Sequence, residues 1–361
     1  MALDGQRIRI DGNALETCEN LGWSLDFRIM ARPRVCGVLD MKGASRMVPT
    51  INHWVGQTNA IRQFRTALEA SWNDGVRLPH MLFVGLPGLG KTELAFVARA
   101  EMAVKMHTRL AQVVNTAALM NGLLLQAADK EIVFLDEIHE LPPANQTLLY
   151  TAMQGCRITV QSKENQTLTM PLNDLTIIGA TTDEYKLLPP LRDRFKMVLS
   201  FVPYDVKALT TITLRRAQLM AVEIQERVAL EIAKRSRGTP RLAIRLLESC
   251  QRFARSQGDE NITIEHFAQT MVIDQIDSLG LDANAVRYLK CVASRNGSAV
   301  RLFNIEAAIG VHRRTIQTVI EPFLIRMGLV ERVSTGRAIT QRGMEHLDGV
   351  TETGAAEGMD Q

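Results

Sequence analysis

Over the first two thirds of the chain, short continuous apolar runs alternate with segments of helical period. The runs Met81-Leu82-Phe83-Val84 and Ile132-Val133-Phe134-Leu135, and the stretch Asp174–Thr182, read as strands buried on both faces. Between them, Ile61–Trp72, Glu93–Met106, Ala117–Ala128 and Pro142–Gly155 carry apolar residues at helical spacing, and Lys105–Asn115 supplies one more strand. Strands alternating with helices in this way predict a parallel sheet covered on both sides. One segment differs: Arg157–Gln161 and Gln166–Met170 alternate with a period of two around Ser162-Lys163-Glu164-Asn165, the pattern of a polar-tipped hairpin.

Past Tyr204 the pattern becomes helical throughout, with segments Val206–Met220, Val228–Arg235, Leu242–Arg255 and Ile264–Asp274. Thr239 as cap and Pro240 in the first turn open the third of these. A last unit reads as helices Ala283–Ser294, Ile305–Ile309 and Arg313–Met327, then Leu329–Val333, a Ser334-Thr335-Gly336 turn and Arg337–Thr340. Helices followed by a hairpin of this size predict a winged helix. The expected division is 1–45 as an extension of unassigned role, 46–203 as an α/β domain with hairpin 156–172, 204–278 as a helical lid, 279–348 as the winged helix, and 349–361 as a disordered tail.

The chemistry starts where the first strand ends. Gly85-Leu86-Pro87-Gly88-Leu89-Gly90-Lys91-Thr92 matches G-x-x-x-x-G-K-[ST] between a strand and a helix. Backbone free of side-chain bulk can curl its N–H groups around a triphosphate at the positive end of a helix, and Gly85, Gly88 and Gly90 supply it. Lys91 would reach the β- and γ-phosphates, and the Thr92 hydroxyl would take a position on Mg²⁺. ATP and Mg²⁺ are therefore the expected ligands. About 45 residues on, as the spacing of such sites goes, the second apolar run ends in Asp136-Glu137: Asp136 would hold Mg²⁺ through its water shell, and Glu137 would orient the attacking water. The Asp174–Thr182 strand ends in hydroxyls where a sensor of the γ-phosphate belongs. Leu191-Arg192-Asp193-Arg194-Phe195 sets two arginines after a proline pair, either as a solvated helix cap or as a finger into a neighbouring subunit's nucleotide. Arg241, a cation at a helix N-terminus, opposes the dipole and calls for an anion. Arg313 and Arg314 at a helix start, with Arg332 and Arg337 flanking the wing turn, fit phosphate contacts to DNA; a winged helix that docks on protein is the competing reading.

Composition narrows the setting. Formal net charge is +3, so total charge alone does not demand nucleic acid, and 5% aromatic residues argue against a base-stacking platform. The five scattered cysteines form no C-x-x-C pair, which predicts reduced thiols in a cytoplasmic protein and no cysteine metal site. No signal-peptide pattern and no apolar run of ~18 residues is present, so no membrane partner is expected.

The phosphate loop, Asp136-Glu137-Ile138-His139, the hairpin, Ile178-Gly179-Ala180-Thr181-Thr182, Leu191–Phe195, Arg237-Gly238-Thr239-Pro240-Arg241 and Glu321-Pro322-Phe323-Leu324, in that order, resemble the RuvB family of branch-migration AAA+ ATPases. The resemblance runs from about Pro49 to Leu347. It implies an AAA+ P-loop domain, a helical lid and a DNA-binding winged helix, working as a hexameric ring on duplex or four-way-junction DNA. It assigns sensor 1 to Thr182, the arginine finger to Arg194, an adenine-side contact to Tyr204 and sensor 2 to Arg241, and it keeps DNA contacts at Arg313, Arg332 and Arg337. Family members dock RuvA on the hairpin through apolar residues. Here the tip is Gln161-Ser162-Lys163-Glu164-Asn165-Gln166 and the apolar positions are Ile158, Val160, Leu168 and Met170, so a RuvA-like partner stays open. The segment before Gly56 also departs from the family, with Val48-Pro49 and one residue fewer. The runner-up reading is an ATP-controlled assembly factor that recruits a partner to DNA without moving duplex.

Overall fold

The structure, a computed structural model, describes residues 50–161, 167–294 and 298–357. By its contacts the chain divides between Val48 and Pro49, and all the described residues lie in the second unit, Pro49–Gln361. The N-terminal extension, the hairpin tip at 162–166 and the last four residues, 358–361, lie outside the described residues.

The apolar runs form a five-stranded parallel sheet. Its strands are β1 (Met81–Val84), β2 (Met106–Leu110), β3 (Ile132–Asp136), β6 (Thr176–Thr181) and β7 (Met197–Ser200), in the order β2-β3-β6-β1-β7. Helices α1 (Thr58–Asp74) and α2 (Lys91–Met102) cover one face through Phe64, Leu68, Leu94 and Val97. Helices α3 (Ala117–Gln126) and α4 (Pro143–Gly155) cover the other through Met120, Leu124 and Leu149. Burial on both faces is why these strands carry no alternation. The register has a functional consequence. β6 lies between β1 and β3 and pairs Val84 with Thr181 and Leu135 with Gly179, so three chain segments leave the sheet side by side at its carboxyl end.

The hairpin pairs β4 (Arg157–Gln161) with β5 (Thr167–Pro171) in antiparallel register. After the short helix α5 (Pro189–Arg192), the chain enters the lid: α6 (Val206–Leu219), α7 (Glu226–Arg235), α8 (Pro240–Ser256) and α9 (Ile264–Ile273), closed around Leu209, Val228, Ile232, Leu247 and Phe267. Pro240 takes the first helical turn as expected. Thr239 stands at the cap position but does not cap: its hydroxyl donates to the Ser236 carbonyl at 3.1 Å instead of accepting from the helix.

The winged helix contains α10 (Ala283–Ala293) and α11 (Leu302–Ile309), and strands β8 (Val330–Val333) and β9 (Gly336–Ile339), with Val300 bridged to Arg337 as a third edge. The segment expected as one helix from Arg313 to Met327 has three parts: α12 (Arg313–Thr315), a π-helical stretch Ile316–Ile320, and α13 (Glu321–Arg326). Pro322 explains the break, since it has no N–H to donate and its ring crowds the preceding turn. Lid and winged helix meet at Phe323, whose ring carries the guanidinium groups of Arg237 (5.2 Å) and Arg326 (5.3 Å). Arg326 also donates to the Arg237 carbonyl at 2.6 Å. The last helix, α14 (Gln341–Glu357), continues past Asp348, where the tail was expected to begin. Among the described residues no helix is long and apolar enough to cross a membrane.

Candidate nucleotide site and nucleic-acid surface

The glycine loop begins where β1 ends, and α2 starts at Lys91. Two of its glycines are required by their surroundings. Gly88 has φ +80°, and a Cβ there would stand 2.8 Å from Arg241 Cβ; Gly90 has φ +97° and would press on the Trp54 ring at 3.2 Å. Both conformations are open to glycine and strained for other residues. The loop is thus covered by Arg241 at Gly88 and by Trp54 and Tyr204 at Gly90. Tyr204 donates to the Leu89 carbonyl at 3.1 Å, and burial pushes its hydroxyl pKa up to about 12.

Lys91 is buried, and its Nζ donates to the carbonyls of Gly85 (2.6 Å) and Leu86 (3.1 Å). Burial lowers its pKa from the ordinary lysine value, Glu137 and Asp136 pull it back up, and Arg241 lowers it further. A buried cation whose hydrogen bonds go to neutral carbonyls, with the carboxylates of Glu137 and Asp136 near but not bonded to it, is a strong site for an anion. Next to it, Thr92 Oγ1 donates to Asp136 Oδ2 at 3.3 Å, so the loop and the end of β3 meet through two oxygen ligands.

Glu137 follows in the left-handed region at φ +49°, uncommon for a residue with a side chain. Its Oε2 accepts from Thr182 Oγ1 at 3.3 Å, which joins the ends of β3 and β6. The structure therefore gathers Lys91, Thr92, Asp136, Glu137 and Thr182 at one end of the sheet, with Tyr204 and Arg241 brought over the loop by the lid. Sequence reasoning assigned no role to His139, Trp54 or Arg237. His139 is buried against Glu137 and Thr181, Trp54 covers Gly90, and Arg237 holds the lid to the winged helix. A bulky aromatic just ahead of Gly56 and a histidine two residues past a catalytic-type acid were the available signals.

Arg194 stands apart from these groups: its guanidinium donates to Gln154 Oε1 on α4 at 2.7 Å. Arg192 is engaged with Glu184 at 2.5 Å.

On the winged helix, Arg313 and Arg314 are exposed at the start of α12, and Glu306 Oε1 accepts the Arg313 backbone N–H at 3.0 Å. The wing arginines are placed otherwise than expected. Arg337, predicted to grip phosphate, is turned inward and donates to Glu321 at 2.8 Å, in a position where Glu321 is fully buried. Arg332 donates to the same carboxylate at 2.7 Å, although half of its side chain stays exposed. A buried carboxylate requires such partners, and this one draws in the nearest cations. Arg337 is thus a structural residue of the wing rather than a free phosphate contact. Burial would raise the Glu321 pKa, but Arg337 and then Arg332 hold it below the ordinary glutamate value. The Tyr288 hydroxyl donates to it at 3.1 Å, and burial first, then Glu321, raises the tyrosine pKa.

The hairpin also differs in one apolar anchor. Ile158 belongs to the core of the α/β domain, whereas Leu168 and Met170 are exposed at 55% and 41%. Asp136, Glu137, Thr182 and Asp183 share a cavity of about 480 Å³ with Arg314 and Thr318 of the winged helix.

Three family models match the chain in sequence: the Holliday junction DNA helicase RuvB P-loop domain at residues 47–201, the RuvB AAA lid domain at 204–277, and the RuvB C-terminal winged helix domain at 278–348. The Holliday junction branch migration complex subunit RuvB 2 of Synechococcus sp. (strain JA-3-3Ab) is 36% identical over 302 residues, 82% of each chain. Among solved structures, the Thermotoga maritima RuvB Holliday junction branch migration motor is similar at a TM-score of 0.74 and 34% identity, covering 83% of this chain and 97% of that one. A single-substitution variant of the same protein reaches 0.75 at 35% identity with the same coverage.

Proposed function

The chain belongs to the RuvB family of Holliday junction branch-migration ATPases, and from that premise we propose that it draws duplex DNA through a ring of its own copies at four-way junctions, driven by ATP hydrolysis. The observation that carries the reading is the meeting of three strand ends: Thr92 against Asp136 and Thr182 against Glu137, with buried Lys91 beside them.

ATP as substrate would place its β- and γ-phosphates where Lys91 now bonds the loop carbonyls, exchanging two neutral acceptors for charged ones. Tyr204 and Trp54 bound the adenine side, and Arg241 lies over Gly88 where the phosphates would pass. The Thr92 hydroxyl and Asp136 carboxylate are an all-oxygen pair suited to Mg²⁺, a hard cation that keeps several waters. When bound, Mg²⁺ would neutralise charge that develops between the β- and γ-phosphates. Glu137 orients the attacking water and Thr182 holds that carboxylate. Arg194 has no target on its own chain's site, so it acts on the nucleotide of the adjacent subunit, which makes the ring a condition of hydrolysis; a hexamer is the expected number.

DNA would meet the exposed Arg313 and Arg314, with Arg332 as the remaining wing cation. These contacts grip phosphates and do not read sequence. The exposed pair Leu168 and Met170 leaves a small apolar surface on the hairpin for a RuvA-like protein.

Displacement of a third strand from a triplex tests translocation directly. A motor removes the third strand in the presence of ATP and Mg²⁺, and a recruiting factor binds the duplex and hydrolyses ATP with the triplex left intact.

A further inference from the structure

His139 is buried, its side chain 5% exposed, yet its ring spends both nitrogens on the groups of the site. Nδ1 lies 3.0 Å from Thr181 Oγ1 and 3.3 Å from Glu137 Oε2. Nε2 lies 3.1 Å from Glu140 Oε1 and 3.6 Å from Asp183 Oδ2. Nδ1 is hydrogen-bonded to the Thr181 hydroxyl, and Glu137 Oε2 lies beside it within ion-pair distance. Thr182 Oγ1 reaches the same oxygen, Oε2, at 3.3 Å. The Thr182 hydroxyl and the His139 ring therefore meet the same oxygen of Glu137, the first by a hydrogen bond and the second at ion-pair distance, and among the described residues no donor bonds the other, Oε1.

That asymmetry has a chemical meaning. A carboxylate that orients water must present one oxygen, in one direction, at hydrogen-bond reach of the nucleophile. Glu137 is on a left-handed turn with 37% of its side chain exposed, so its backbone and packing alone leave the carboxylate free to rotate. We propose that His139 is a positioning residue for Glu137: it fixes Oε2 from behind and leaves Oε1 as the oxygen that takes the attacking water. The second nitrogen serves to hold the ring itself, through Glu140 and Asp183 at the rim of the cavity shared with Arg314. The inference rests on Glu137 being the water-orienting carboxylate.

The test uses the full chain, duplex DNA, ATP and Mg²⁺, with steady-state hydrolysis, ADP binding and thermal unfolding measured on Glu137→Gln, His139→Asn, His139→Gln and His139→Ala. An asparagine amide reaches roughly where Nδ1 stands, and a glutamine amide roughly where Nε2 stands. The positioning role predicts that His139→Ala and His139→Gln lower kcat by about tenfold or more, a part of what a general base contributes. KM and ADP affinity stay unchanged, and His139→Asn recovers most of the loss. Equal activity in the Asn and Gln variants, or wild-type kcat in His139→Ala, overturns it, as does a loss of kcat that tracks a lowered unfolding temperature in all three. Retained hydrolysis by Glu137→Gln would instead overturn the reading of Glu137, a failure distinguishable from that of His139.

Discussion

Arg337 donates through Nε to Oε1 of Glu321 and thereby joins the wing strand β9 to the start of α13. Glu321 also accepts from Arg332 and Tyr288, so its charge is buried with three partners. Breaking a buried ion pair from one side costs about 3–5 kcal/mol, and the two remaining partners bring the expected cost of Arg337→Ala to about 2–3 kcal/mol. Thermal unfolding should show that loss. The Glu321 pKa is depressed in the folded chain, so its stabilisation is present above the ordinary carboxylate value of 4.5 and is lost as pH falls through the lower folded value.

His80 gives a second pH dependence. It is buried immediately before β1, its Nδ1 accepts the Ile177 N–H at 2.9 Å, and its pKa is lowered from 6.5 to about 4, by burial first and then by Arg77. The unfolded chain binds the extra proton between these values, so stability is full above pH 6.5 and declines as pH falls toward 4, by up to about 3 kcal/mol. His80→Asn, which keeps an acceptor for Ile177 but does not titrate in this range, should flatten that part of the stability-pH curve.

Arg194 predicts complementation. Arg194→Ala chains keep an intact Glu137 and lack a finger, and Glu137→Gln chains have the reverse. Each alone should hydrolyse ATP at least about a hundredfold more slowly, and mixtures should regain hydrolysis because one chain supplies the finger to the other's site. Hydrolysis that stays absent at every mixing ratio, with oligomers formed, would place the finger in its own chain.

DNA affinity should fall steeply with salt. Removing one phosphate contact, by Arg313→Ala or by Arg314→Ala, should reduce the slope of log K against log salt by about 1, without changing preference among sequences.

The parts legible in the sequence were those fixed by local geometry. Four consecutive apolar residues before Gly85 and before Asp136 specify strands of a parallel sheet, and the loop spacing specifies what lies at their ends. The inward turn of Arg337 is not legible in sequence because its direction depends on Glu321, which opens α13 beside Pro322 and looks from sequence like an exposed acid. Ile158 alternates with polar neighbours as any hairpin residue does, and only the packing of β4 against the α/β core shows it buried. His139 belongs to the Asp136–His139 motif, but its hydrogen bond to Thr181 and its approach to Glu137 and Asp183 depend on where β6 passes relative to β3. The π-helical stretch had a visible cause in Pro322, whereas its length depends on packing of Ile316 and Ile320 in the winged-helix core.

The most direct measurement is conversion of a synthetic four-way junction into two duplexes by the full chain, with ATP and Mg²⁺, over a protein titration and beside Glu137→Gln. The account predicts conversion by the unaltered chain and none by the variant, with both binding the junction. Conversion by Glu137→Gln at the same rate, or DNA-stimulated hydrolysis by the unaltered chain without conversion at any concentration, would contradict it.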